Sequence, residues 1–86
     1  MEISRSHTFE KQYQKLPKKI QDKFDERFLL WVENPADPRL RVHLLKGKYQ
    51  GYWSMNVNGD VRALYRYDGD TVVIFALIGT HSSLYG

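Results

Sequence analysis

The acid–base groups of this chain are its three histidines, His7, His43 and His81. None stands at HxH or HExxH spacing and no carboxylate pair accompanies them, so the sequence spells no catalytic metal site. Gly47 and Gly51 are isolated by Lys48-Tyr49-Gln50, which leaves no glycine-rich phosphate loop. Ser54, Ser82 and Ser83 lack the nucleophile elbow that would activate a serine. What remains is a set of His, Arg, Lys, Asp and Tyr side chains beside a basic segment. Such a set suits cleavage of RNA, because RNA carries its own nucleophile in the 2′-hydroxyl. The enzyme then supplies a base for that hydroxyl, cations for the charge growing on the phosphoryl oxygens, and an acid for the departing 5′ oxygen. It needs no metal, cofactor or covalent intermediate. The candidates are His43, Asp60, Arg62, His81 and Tyr85.

Each candidate also has a plainer role open to it. His43 could be a surface histidine on a strand edge, and His81, just after Gly79-Thr80, could cap the last segment. Asp60 follows Asn58-Gly59 and could be a turn residue accepting backbone N–H bonds. Arg62 could pair with a neighbouring acid, and the Tyr85 ring could pack at the edge of the core.

The charge distribution narrows the partner. The formal net charge is +3, which favours a polyanion without naming one. From Arg39 to Asn58 the chain carries Arg39, Arg41, Lys46 and Lys48 around His43, with no Asp or Glu. In the N-terminal half the cations, Arg27 among them, are interleaved with Glu10, Asp22, Asp25 and Glu26, as on a solvated helix face. Length sets a further bound: 86 residues make one domain over 1–86, with no room for a second core. There is no cysteine, so neither a disulfide framework nor a thiolate metal site is available. The N-terminal MEISRSHTFEK lacks the apolar stretch of a signal peptide, and no run is long enough to span a membrane. The expected home is the cytoplasm.

The elements that must position these residues follow from hydrophobic periodicity. Phe9, Tyr13 and Leu16 recur at helical spacing, with Ser6 or Thr8 able to cap the helix. Pro17 breaks it and can open a second helix, along which Ile20, Phe24, Phe28 and Trp31 form one apolar stripe. Asn34-Pro35 closes that helix and PADPRLR is a loop. From residue 43 the period changes to two. Trp53, Met55 and Val57 alternate with Tyr52, Ser54 and Asn56, and Asn58-Gly59 predicts a tight hairpin whose residues tolerate positive φ. Val61, Ala63, Tyr65 and Tyr67 then alternate with Arg62, Leu64 and Arg66. After Asp68-Gly69, Thr71 to Ile78 is apolar on both faces, as a central strand should be. Ile3 can lie in a short first strand. The expected fold is α+β, in the order β-α-α-β-β-β: a two-helix hairpin packed on a small twisted, mostly antiparallel sheet. Asn56, Arg62, Leu64 and Arg66 are expected on the face away from the helices.

With these residues in place, the chain resembles the RelE/ParE superfamily of toxins over nearly its whole length. FEKQYQKLPKKIQDKF matches loosely. HLLKGKYQGYWSMNVNGDVRALYRY is similar to the family's histidine, leucine and glycine stretch followed by a strand and then an arginine strand ending in tyrosine. IGTHSSLYG resembles the C-terminal signature of the YafQ-like branch. The resemblance implies a RelE-like fold and a toxin of a type II toxin–antitoxin system. It further implies a ribosome-dependent mRNA endonuclease, neutralised by a cognate antitoxin. It puts His43, Asp60, His81 and Tyr85 on that branch's active-site positions. Arg62 falls on the strand arginine that serves the scissile phosphate in the RelE branch. Arg39, Arg41, Lys46, Lys48 and Arg66 are the expected RNA-binding cations. Two positions depart from the branch: Asn56 stands where a second histidine is common, and Leu77 where an arginine is. A ParE-like protein that poisons gyrase by binding, or a degenerate member that only binds its antitoxin and autoregulates, would share this fold. Neither has a reason to combine His43 with the His81–Tyr85 tail.

Overall fold

A computed structural model describes residues 1–86. Strand β1 (Glu2–Arg5) leads into helices α1 (His7–Gln14) and α2 (Lys18–Glu33). Strands β2 (His43–Leu44), β3 (Trp53–Asn56), β4 (Val61–Asp68) and β5 (Val72–Thr80) follow, and helix α3 (His81–Tyr85) closes the chain. The five strands lie in the order β1-β5-β4-β3-β2, with β1 parallel to β5 and every other pair antiparallel. The expected α+β architecture is present, with two elements added: the short edge strand β2 and the terminal helix α3.

Local chemistry explains the boundaries. The Ser6 hydroxyl accepts from the Phe9 N–H at 3.0 Å and donates to the Ala76 carbonyl at 2.8 Å, so one side chain caps α1 and ties it to β5. Pro17, at φ −55°, immediately precedes α2, and its carbonyl accepts from Ile20 and Gln21. Asn58-Gly59 does turn the chain between β3 and β4, but neither residue adopts positive φ. Instead the Asn58 Oδ1 accepts from the N–H groups of Asp60 and Val61, and Val57 N–H bonds Val61 O across a wider turn. The side chain does what a left-handed backbone would otherwise do. Gly69, at φ +68°, supplies the left-handed residue of the next turn.

The core lies between the helices and one sheet face. Phe9, Phe24 and Trp31 are buried against Tyr65 and Phe75, with Trp31 centred 5.1 Å from Phe75 and 5.2 Å from Tyr65. Each such side chain contributes roughly 1.5–3 kcal/mol by burial. The Arg5 guanidinium lies 5.2–5.7 Å from the ring centres of Phe9, Tyr13, Phe24 and Phe28, a cation–π cluster at the core's margin. A bulge between β4 and β5 resets the alternation. Ala63 pairs with Ile78 and Tyr65 with Phe75, so two core residues three apart on β5 both reach the helix layer. Beyond the end of β1, Gln12 of α1 accepts the Ile78 N–H at 2.9 Å.

On the opposite sheet face, where it was expected, Leu64 is fully buried in register with Leu77, and α3 packs on β5 with Leu84 buried. Gly79 makes that approach possible: a Cβ there would lie 3.6 Å from the Leu84 side chain and 2.5 Å from Ser83 Oγ. None of the helices is long and apolar enough to cross a membrane.

Candidate functional site

The face of the sheet away from α1 and α2 gathers most of the candidates. Cross-strand register puts His43 opposite Ser54, Asn56 opposite Arg62, and Arg62 opposite Gly79. All of these point to one side, because side chains directly opposite share a face. Val61 pairs with Thr80, so Asp60 and His81 are the next residues outward at the same end. Helix α3 then carries His81 and Tyr85 one turn apart.

Helix α3 is short and is held from several directions. The Thr80 hydroxyl caps it by accepting from Ser83 N–H at 3.0 Å, and Ser83 Oγ donates back to the Thr80 carbonyl at 3.0 Å. At its far end the Tyr49 hydroxyl donates to the Leu84 carbonyl at 2.6 Å and Lys48 Nζ donates to the same oxygen at 3.3 Å. A cation at a helix C-terminus also complements the helix dipole. The Tyr85 ring meets Tyr49 edge-on at 5.2 Å and stacks on the His81 imidazole at 4.7 Å. Burial, with the Tyr49 hydroxyl nearby, pushes the Tyr85 phenol above its usual value against the opposing pull of Arg62, so it stays protonated at neutral pH. His81 itself is exposed.

Arg62 has no acid partner. Its guanidinium rests on backbone carbonyls of the β3–β4 turn, donating to Asn58 O at 2.9 Å, Val61 O at 3.3 Å and Gly59 O at 3.3 Å. Those bonds fix its direction and leave its charge uncompensated, as a group meant for an incoming anion requires. His43 Nδ1 lies 3.2 Å from the Arg41 carbonyl. A carbonyl can only accept, so Nδ1 is the donor in this contact. The Asp60 carboxylate is exposed, with its backbone N–H held by Asn58.

The remaining cations divide. Lys46 is exposed. Lys48 is tied to α3, as described. Arg39 forms a two-pronged pair with Asp37 at 3.0 and 2.7 Å, and these bonds hold the Asp37 carboxyl down at about 2. Arg66 shares the face of Arg62 but stands four residues along β4, about 13 Å away at the usual strand rise. His43 and Arg62 are two strands and one ladder step apart, roughly 12 Å between Cα atoms at standard spacings. The register thus brings Arg62, Asp60 and the start of α3, with His81, to one end of the sheet, sets His43 two strands away, and leaves Arg66 apart.

Two clefts border the sheet, the first with Arg62 in its lining and the second away from Arg62, His81 and Tyr85. One, of about 670 Å³, is lined by Arg27, Arg39, Arg41 and Arg62 together with Asn56 and Asn58. Arg27 did not stand out in the sequence, where α2 reads as a face of alternating charges. Its one distinguishing signal is that it is the only arginine among the lysines of that helix. Arg41 enters this cleft from a left-handed backbone at φ 49°, the only non-glycine residue so placed. Such a conformation costs roughly 1–3 kcal/mol and tends to persist where function requires it. The second cleft, of about 400 Å³, is more apolar, with Pro35, Val42, Trp53, Tyr65 and Tyr67 in its lining.

Known proteins share this fold. A family model described as the bacterial toxin of type II toxin–antitoxin systems, YafQ, matches residues 1–86. The crystal structure of YafQ from E. coli superposes with a TM-score of 0.84 at 25% identity, covering 99% of this chain and 98% of that one. The toxin in an E. coli DinJ–YafQ complex superposes at 0.81 with 25% identity, over 99% of this chain and 97% of that one. A YoeB/ParE toxin from Agrobacterium tumefaciens shares the fold at 0.77 and 20% identity, over 94% and 99% of the two chains. No curated protein matches the chain in sequence.

Proposed function

The chain belongs to the YafQ family of toxins of bacterial type II toxin–antitoxin systems, and from that premise we propose that it is a metal-free endoribonuclease that cuts messenger RNA on the ribosome. The observation that carries this reading is the meeting of Arg62, with no acid partner, and the His81–Tyr85 pair of α3 at one end of one sheet face. A protein that acted only by binding would have no need of a titrating imidazole beside an uncompensated guanidinium.

In the proposed reaction a histidine takes the proton of the 2′-hydroxyl, and the O2′–P bond forms as the P–O5′ bond breaks. A second proton goes to the departing O5′, leaving a 2′,3′-cyclic phosphate and a 5′-hydroxyl. His81 and His43 share these acid and base duties. Arg62 and Lys46 stabilise charge on the phosphoryl oxygens. Asp60, which like His81 is the next residue outward from the Val61–Thr80 pair, orients a histidine or meets the RNA. Tyr85, held neutral, stacks on a base or positions the phosphate. Asn56 cannot titrate, so the duty of the histidine common at that position passes to His81 and His43. Arg39, Arg41, Lys46, Lys48 and Arg66 spread positive charge for ribosomal and messenger RNA, an attraction that weakens steeply with salt. The setting is the cytoplasm, where ribosomes are.

The E. coli YafQ toxin has been solved with DinJ, and by analogy this chain takes a cognate antitoxin. The apolar cleft at Trp53 and Tyr67, beside the unpaired edge of β2, offers such a partner apolar anchors and free backbone groups. The test is to induce the protein in cells and map new 5′ ends on messenger RNA. Cuts in register with codons are expected; intact messages accompanied by DNA-damage signals would transfer the protein to the gyrase-poison class.

A further inference from the structure

The arginine-lined cleft extends beyond any role yet given to Arg62. Arg27 reaches it from α2, Arg39 and Arg41 from the turn that follows α2, and Arg62 from β4, while no carboxylate is in its lining. Only Arg39 of the four has an ion-pair partner. Arg27 Nε is buried without any hydrogen-bond partner, a state that is unfavourable until an acceptor arrives. Arg41, on a left-handed backbone, lines this cleft and also the apolar cleft beside it.

We propose that this cleft is a second phosphate subsite, which holds the sugar–phosphate backbone of single-stranded RNA next to the bond that Arg62 serves, with Arg27 and Arg41 as its principal donors. The identity of the strand rests on the RNA reading above; binding to the cleft does not depend on cleavage. A guanidinium matches a phosphate with two parallel hydrogen bonds, and converging forks suit successive phosphates better than one small ion. Only Val57 and Pro38 are apolar in the lining, and no aromatic ring is present to stack a base. The cleft therefore suits backbone rather than bases. An acidic protein segment would look for apolar anchors, which this cleft lacks and its neighbour at Trp53 and Tyr67 provides.

The experiment measures binding of a short 2′-O-methyl oligoribonucleotide, which lacks the nucleophile and stays intact, by fluorescence anisotropy over a range of salt. Arg27→Gln and Arg41→Gln should each weaken binding by about tenfold or more. Each should also reduce the salt slope by about 0.7 per lost phosphate contact. Lys18→Gln is the control: Lys18 is paired with Asp22 at 2.6 Å, about 13 Å along α2 from Arg27, and its loss should change neither quantity. Circular dichroism establishes that each variant is folded, and exposed Arg41 carries the test if Arg27→Gln is not. A folded Arg27→Gln or Arg41→Gln that binds with wild-type affinity and slope overturns the proposal. So does a loss of polyglutamate-peptide binding alongside undiminished RNA binding. If the wild type cuts no message yet the two variants lose the oligonucleotide, the subsite stands and only the nuclease reading falls.

Discussion

Replacing His81 with glutamine separates a proton-transfer role from a positioning role, because the structure makes the two effects differ in size. The imidazole is exposed, and its recorded contact is the stack on Tyr85 at 4.7 Å. Losing an aromatic stack of this kind costs about 0.5–1 kcal/mol. If that loss loosened α3, it would lower the fraction of correctly docked helix at most about fivefold, since Leu84, the Thr80 cap and the Tyr49 bond remain. A group that moves a proton in the transition state contributes roughly 10²–10⁴-fold. Glutamine keeps the size and polarity of the side chain and can hydrogen-bond, but it cannot shuttle a proton. We expect His81→Gln to cleave at least a hundredfold more slowly in single-turnover reactions on programmed ribosomes. Ribosome and antitoxin binding should be unchanged, because the footprint is carried by lysines and arginines. A two- to fivefold loss would make His81 a support for Tyr85 and refute the acid–base assignment, sending the search for the acid to His43 or Tyr85.

Three further outcomes are expected. Arg62→Ala should lower cleavage by about 10²–10³-fold and leave the fold intact, because the carbonyls it releases belong to the β3–β4 turn, whose Gly59 and Asp60 are open to water; full cleavage or an unfolded protein would contradict the face assignment. Tyr65 is buried and its phenol is pushed up to about 12, so the folded state keeps a proton that the unfolded chain gives up near 10. Its stabilisation is thus complete below about pH 10 and lost as pH rises toward 12, a change of roughly 2–3 kcal/mol. Urea unfolding between pH 8 and 11.5 should reveal this slope, and Tyr65→Phe should flatten it; an identical slope in the variant would assign the alkaline loss to other groups. Arg5→Ala removes the cation from the Phe9, Tyr13, Phe24 and Phe28 rings and should cost about 1–2 kcal/mol. That corresponds to a melting temperature lower by at least about 4 °C, and no shift would mean the cluster is held by the rings alone.

Much of this molecule is local and was therefore legible in the order of residues. The stripe Ile20, Phe24, Phe28 and Trp31 specifies α2 and its buried side, because helical periodicity needs no partner to be read. The alternation of Val61, Ala63 and Tyr65 against Arg62 and Arg66 specifies both β4 and the face on which Arg62 stands. Asn58-Gly59 marks where the chain reverses; that its side chain rather than its backbone makes the turn depends on where the Asp60 and Val61 N–H groups come to lie. What the tertiary structure alone decided are the contacts between segments distant in sequence. Periodicity puts Leu64 on the face away from the helices but not under cover; that face is closed in part by a five-residue helix from the end of the chain, which buries Leu84 beside Gly79. Tyr49 and Lys48 read as part of a basic loop and instead clamp that helix by its last carbonyls. Arg27 reads as one charge among many on a solvated helix, and joins Arg41 and Arg62 only because the turn after α2 folds back beside the β3–β4 turn. Periodicity reports which way a side chain faces; it carries no record of what will come to face it, and a cleft whose charges come from three separate segments exists only once the chain has folded.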